Sequence, residues 1–397
     1  MTRKSWDFDY RLASPGYDAV EASDVVVAAL ARPASERELL AAFGAAPEVT
    51  IRAVIERAPI FWYRLAFRDV KRLDDVTLSL ARAGLPCRYV TPATQGNLAL
   101  GEPLDFDGAR HGVATDWAVL PSRVHDEPKT PDRWVFHERG GIDVDRALCG
   151  TGAGTRLAVI DDEGMDSDVL PLDREITVGT STPSRSALHG PLMVAWAVGV
   201  RPSGHKGIAA FTGVAPDASP RLYLIPKAGR DVVSLPEAIV RAVDDGADVV
   251  VCASYVEGTT SPLFDDALAF ANQLGRGGRG TAVVLPTGRE ISSPPGSMHA
   301  SLTLSLGDPA SDPRVFCVAP SGRYGDWFLW TDKRGRLRPF ANRGPSVRLA
   351  APGDDMSYPL AGRDRVGHAE SSGASAIAAG VALLVYATSP ELMVHEL

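Results

Sequence analysis

Three short stretches carry residue types that together could perform acyl transfer. RLAVIDDEGMDSD (156–168) ends a strand-like run in Asp161 and further acids, ALHGPLMVAWAVGV (187–200) opens a small-residue helix with His189 and Gly190, and AESSGASAIAAGVALLVY (369–386) opens another among Ser371, Ser372 and Ser375. A serine hydroxyl is a poor nucleophile until a neutral imidazole takes its proton, and the imidazole needs a carboxylate to fix its tautomer and stabilise its charged form. Taken singly, each stretch has a plainer role: the acids make a solvated turn, the histidine starts a helix, and the serines cap one. With no histidine close to the acids in sequence, no metal-ligand set is expected. Taken together, Asp, His and Ser follow one another in an order that a single catalytic row can use.

Such a row needs elements that end side by side. From residue 156 onward, short Val/Ile/Leu runs (RLAVID, RLYLIP, ADVVVCA, TAVVLP, RVFCVA) alternate with helical stretches near 235–245, 263–274 and after 372. Near-continuous apolar strands separated by helices predict a mainly parallel sheet covered on both faces, with sites at the carboxyl ends of its strands. Residues 24–92 read differently: DVVVAALA, SERELLAAF, VTIRAVIE, IFWYRLAF, RLDDVTLSLARAG and CRYVTP give a β-α-β-β-α-β order, which predicts a small α+β ferredoxin-like domain over 1–92. Between them, 93–150 is rich in Pro, Gly, Asp and His and reads as a linker, leaving 151–397 as the second domain.

Composition narrows the function. The 397 residues are 45% apolar and 23% charged, enough to bury a substantial core, and 41 Lys and Arg against 49 Asp and Glu leave a net charge of −8. That balance argues against nucleic acid or an anionic membrane as partner. The apolar run at 369–386 falls short of the roughly 20 residues that span a bilayer and reads as a buried helix. MTRKSWDFDYRL has no apolar core after its early positive charge, so no secretory signal is expected and the cytoplasm is the predicted location. Cys87, Cys149, Cys252 and Cys317 lack CxxC spacing and read as free thiols.

Over residues 130–390 the chain resembles the subtilisin family of serine proteases, segment after segment in order. GTGAGTRLAVIDDEGMD resembles the region of the family's aspartate, HGPLMVAWAVG its histidine helix, and GVAPDASPRLYLI the strand that follows. AIVRAVDDGADVVVCAS, GRGGRGTAVVLPTGRE, FANRGPSVRLAAPGDDM and SSGASAIAAGVALLVY resemble, in turn, the helix and strand before its substrate pocket, its oxyanion segment, the run before its serine and the serine helix. The resemblance implies a three-layer α/β/α fold and a triad of Asp161, His189 and Ser372; Ser372 stands eight residues before the helix glycine Gly380, as the family's nucleophile does, whereas Ser375 would shorten that spacing. It also implies a peptide or protein substrate lying along Ser254, Tyr255 and Val256, no cofactor, and an N-terminal domain acting as an intramolecular chaperone or inhibitor.

The chain departs from the family pattern at chemically important places. Pro286, Thr287, Gly288 and Arg289 stand where the family has Ala-Ala-Gly-Asn, so a guanidinium replaces the side-chain amide of the oxyanion hole. In subtilisin, loss of that donor costs about 100- to 1000-fold in turnover. Glu370 and Ser371 replace the Gly-Thr before the serine, and a pairing of Glu370 with Arg289 would plug the hole. Two functions are therefore expected: a serine endopeptidase processing a specific intracellular peptide or protein, or an impaired pseudoprotease that binds peptides or scaffolds. Transfer of the acyl group to an amine, giving a ligase, is a third.

Overall fold

The computed structural model describes residues 22–44, 49–93, 142, 150–164, 170, 172–179, 189–200, 211–225, 233–253, 261–288, 309–322, 329–331, 337–339, 341–342, 344–353, 356–357, 366–367 and 370–397. They fall in two compact units, 1–96 and 97–397. Nearly all of the predicted linker, with Cys149, lies outside the described residues.

The first unit runs β1 (Ala22–Leu30), α1 (Glu36–Ala42), β2 (Val49–Arg57), β3 (Ile60–Arg72), α2 (Leu73–Arg82) and β4 (Cys87–Pro92). Its strands pair antiparallel in the order β2-β3-β1-β4, the ferredoxin-like arrangement that the sequence pattern predicts. Helix α1 starts where Ser35 Oγ accepts from the Glu38 N–H and the Glu38 carboxylate accepts from the Ser35 N–H, a reciprocal cap. Val26, Leu30, Leu65 and the helix residues Leu39 and Leu80 close the core beneath it.

The second unit is built on seven strands: β5 (Arg156–Asp161), β6 (Arg174–Thr177), β7 (Ser219–Leu224), β8 (Val249–Cys252), β9 (Ala282–Pro286), β10 (Val315–Ser321) and β11 (Val347–Pro352). They lie in the order β11-β10-β9-β8-β5-β7-β6, and every pairing is parallel. Strand β6 escapes a hydrophobic reading because it is a four-residue edge strand with exposed ends.

Among the described residues, four helices cover the sheet. Helices α3 (His189–Ala197) and α6 (Glu370–Thr388) pack together, and Val194, Ile377 and Leu383 share one core with Leu157, Val159, Val251, Val284 and Val318. Alternate strand residues, among them Ile160, Val250 and Val283, are equally buried and turn to the other face, where α4 (Ser234–Asp244) and α5 (Pro262–Gly278) pack. The result is the three-layer subtilisin-like α/β architecture. Helix α6 has the length and a mean hydropathy of 1.5 that would let it cross a membrane, yet 72% of that apolar stretch is buried inside the unit, as expected of a core helix.

Helical conformation in α5 stops near Leu274, as its periodicity predicts. Gly275 is extended, and Arg276 (φ 50°) and Gly277 (φ 67°) are left-handed. The side chain of Arg276 folds back to donate to the Pro390 and Leu392 carbonyls, both at 2.8 Å, and to Asp248 Oδ1 at 3.2 Å. Its guanidinium lies 3.5 Å from the centroid of the Tyr386 ring. The segment that follows α6 is held to the end of α5 in this way.

Candidate active site

The sheet order sets the place of the site. Strand β7 lies on one side of β5, and the chain then crosses to lay β8 on the other side. Doubly wound sheets hold their ligands at such a reversal, beyond the carboxyl ends of the two strands, here β5 and β8.

Asp161 is the last residue of β5 and is fully buried. Its Oδ2 lies 2.7 Å from Nδ1 of His189, and its Oδ1 accepts from the Glu163 N–H at 3.0 Å. His189 is the first residue of α3, with 37% of its side-chain surface open to solvent. The glycine after it is sterically required: a Cβ on Gly190 would stand 2.4 Å from the Glu163 carbonyl oxygen and 2.8 Å from Asp161 Cβ. Pro191 sits in the first helical turn, where its missing N–H leaves no bond unmade.

Charge at this corner is lopsided. Burial works against a charged imidazole, but the Coulombic pull and hydrogen bond of Asp161, joined by Glu163 and Asp162, outweigh it and push His189 up to about 9. Burial, with Asp161 and Glu163 as neighbours, raises the Asp162 carboxyl above its ordinary value. At neutral pH the imidazole is therefore cationic in the resting site, and both ring nitrogens carry protons.

Ser372 lies in the first turn of α6 and is partly exposed. Its Oγ donates to the Ala253 carbonyl at 2.8 Å, and the Ala253 N–H donates to the Ile160 carbonyl at 3.2 Å. The hydroxyl is thus hung on the end of β8, beside the strand that ends in Asp161. Among the described residues no hydrogen bond joins His189 to Ser372. Ser375 is fully buried and gives its hydroxyl proton to the Ser371 carbonyl one turn back, and Ser371 is itself buried. Of the three serines, Ser372 alone is not buried.

The turn before the serine is tight. Glu370 adopts φ 55°, a left-handed conformation that favours glycine. Its N–H donates to the Gly353 carbonyl at 2.8 Å, and a Cβ on Gly353 would meet Pro320 Cβ at 2.4 Å and the Glu370 carbonyl oxygen at 2.6 Å. After β9, Thr287 and Gly288 are fixed by buried Asn342: its side chain donates to the Thr287 carbonyl at 2.9 Å and its N–H to the Gly288 carbonyl at 3.1 Å.

Of the residues singled out in the sequence, Asp161 and His189 are bonded, Ser372 reaches the neighbouring strand end, and Gly288 follows β9 with φ 67°. Arg289, Ser254, Tyr255 and Val256 lie outside the described residues, and with them the oxyanion substitution, its pairing with Glu370 and the substrate strand. Among the described residues no group of three or more His, Cys, Asp or Glu could hold a metal ion. Glu163 and Asn342 escaped the sequence reading. The first sits inside an acidic run that looks like a solvated turn, and the second bonds a segment 55 residues away.

The family model described as the subtilase family, Peptidase_S8, matches residues 152–397. Similar solved structures include MycP1 with its N-terminal propeptide removed (23% identity, TM-score 0.46, covering 68% of this chain and 87% of that one) and sphericase (17%, 0.46, 67% and 86%). The prenylagaramide maturation protease PagA is also similar (20% identity, TM-score 0.40, 60% and 77%). Among curated proteins none matches the chain. The family match covers more than half of the residues, and the protein belongs to the subtilase family.

Proposed function

We propose that the protein is a serine endopeptidase in which Ser372 is the nucleophile, His189 the general base and then acid, and Asp161 the residue that holds the imidazole. The observation that carries this reading is the 2.7 Å contact between a fully buried carboxylate and His189 Nδ1, and it is supported by the bond from Ser372 to the residue that follows β8, the strand beside β5. Rotation about the Ser372 Cα–Cβ bond, among three staggered wells, releases its hydroxyl from Ala253. A deprotonated His189 Nε2 then takes the hydroxyl proton as Oγ attacks the peptide carbonyl. The imidazolium returns that proton to the departing amine, and water hydrolyses the acyl-enzyme by the same steps reversed.

The substrate is a peptide or protein, bound in extended form along Ser254, Tyr255 and Val256, which follow β8 in the chain. The N-terminal unit is assigned the role of folding helper for the second unit. Refolding of 97–397 with and without added 1–96 tests that role.

A second reading, an impaired protease that binds peptides without cleaving them, is favoured by the Ser372 hydroxyl resting on a backbone carbonyl instead of the imidazole. A fluorophosphonate probe separates the two. Labelling that Ser372→Ala abolishes supports the enzyme; full-length protein that stays unlabelled from pH 7 to 10 leaves the binding module.

A further inference from the structure

We infer that Glu163 is a positioning residue for this site, latching the start of the histidine helix to the catalytic carboxylate. The inference rests on the triad reading above but concerns a residue outside the triad. Two hydrogen bonds carry it. The Glu163 N–H donates to Asp161 Oδ1 at 3.0 Å, and the Glu163 carboxylate accepts from the backbone N–H of His189 at 2.8 Å.

One residue therefore grips both members of the Asp–His pair, the first by its main chain and the second by its side chain. The first four N–H groups of a helix have no partner within it, so a carboxylate placed there satisfies one of them and meets the positive end of the helix dipole. Here the N–H that it satisfies belongs to the histidine itself. The packing beneath admits no play, because Gly190 lies so close to the Glu163 carbonyl that it has no room for a Cβ. A shift of Glu163 would move the His189 main chain, and with it the ring that must stay 2.7 Å from Asp161.

The same carboxylate also favours a positive charge on the ring. Among the described residues, the charged groups that act on His189 are Asp161, Asp162 and Glu163, at and just after the end of β5. Helix α6, packed against α3, brings one acid in its first turn, Glu370. Glu163 thus plays two separable parts: it fixes where the imidazole stands, and it helps to set the pH at which the imidazole becomes a base.

The test uses the full-length chain with Glu163→Ala and Glu163→Gln. It measures fluorophosphonate labelling of Ser372 from pH 6 to 10, thermal unfolding, and hydrogen exchange of the His189 backbone amide by NMR. Glu163→Ala is expected to slow labelling about tenfold at its plateau and to move the midpoint of the profile to lower pH. Glu163→Gln keeps the acceptor oxygen without the charge, so it is expected to recover most of the plateau rate while the midpoint stays low. The inference is overturned if Glu163→Ala is labelled at the parent rate with an unmoved midpoint. It is equally overturned if its loss of labelling follows a lowered melting temperature and Glu163→Gln fares no better. Should the parent protein resist labelling at every pH, the nucleophile reading fails by itself. The His189 backbone amide then decides the matter for Glu163: hydrogen exchange faster in Glu163→Ala than in Glu163→Gln supports the latch, and equal exchange in the parent and both variants sinks it.

Discussion

The hydroxyl of Ser372 points at the Ala253 carbonyl, 2.8 Å away, so the end of β8 holds the proton that a catalytic cycle would have to move. The contact spans 119 residues of chain and pins the start of α6 to the middle of the sheet. Ser375, a turn deeper in the same helix, bonds only to its own helix backbone.

Substitution should separate these two serines. Ser372→Ala is expected to abolish fluorophosphonate labelling. Ser375→Ala is expected to leave it within about threefold and to change stability by no more than about 1 kcal/mol, since only one intrahelical hydroxyl bond is lost. Mass spectrometry of the labelled peptide, with denaturant melts of both variants, reads the outcome.

The cationic state of His189 predicts an alkaline enzyme. A general base must be neutral, so the labelling rate should climb as pH rises and reach half its plateau near 9. Stability should run the other way. The ring's affinity for protons is raised in the folded state, so its contribution is fully present below about 6.5, the value without the fold, and is lost as pH rises through about 9. Melting temperatures of the parent should fall across that window more steeply than those of His189→Ala.

Glu370 predicts an inverted preference at a helix start. In an ordinary helical position alanine is more stable than glycine by about 1 kcal/mol. At φ 55° the order should reverse, because a Cβ in the left-handed region costs about 1–2 kcal/mol and glycine pays nothing there. Glu370→Gly is expected to be about 1 kcal/mol more stable than Glu370→Ala in urea unfolding.

Arg276 predicts a local weak point. Only 4% of its side chain is exposed, and it bonds Asp248 and two backbone carbonyls while stacking on Tyr386. Arg276→Ala strands these groups and is expected to cost about 3 kcal/mol. Lysine cannot reproduce the planar fork, so Arg276→Lys should recover less than half of that loss. Limited proteolysis after residue 388 should report the freed segment first.

Much of the fold was legible because its signals are local. Val249–Cys252 and Ala282–Pro286 are uninterrupted apolar runs, and a run of that kind is what a strand buried on both faces requires. Val26–Leu30 is a similar apolar run, and the change between strand-like and helix-like text over 24–92 marked the antiparallel unit. The Asp161–His189 pairing was legible only through order along the chain, since nothing in the residues between them, 28 positions apart, encodes a 2.7 Å contact. Glu163 was not legible at all. Its neighbours are acids, and an acidic run at a strand end has the same composition whether it faces water or caps a helix. The Ala253 carbonyl is invisible for a related reason, because a backbone acceptor has no residue type to announce it.

Strand β5 finds none of its partners nearby: Arg156 pairs with Ser219 and Leu157 with Val249, so its ladders close loops of more than sixty and ninety residues. Loops of that size cost entropy before any bond repays it, which makes self-assembly slow. The central strand, and the acid at its tip, can settle only after distant parts of the chain have come to it, and a half-assembled chain would show its valine-rich edges to whatever else is in solution.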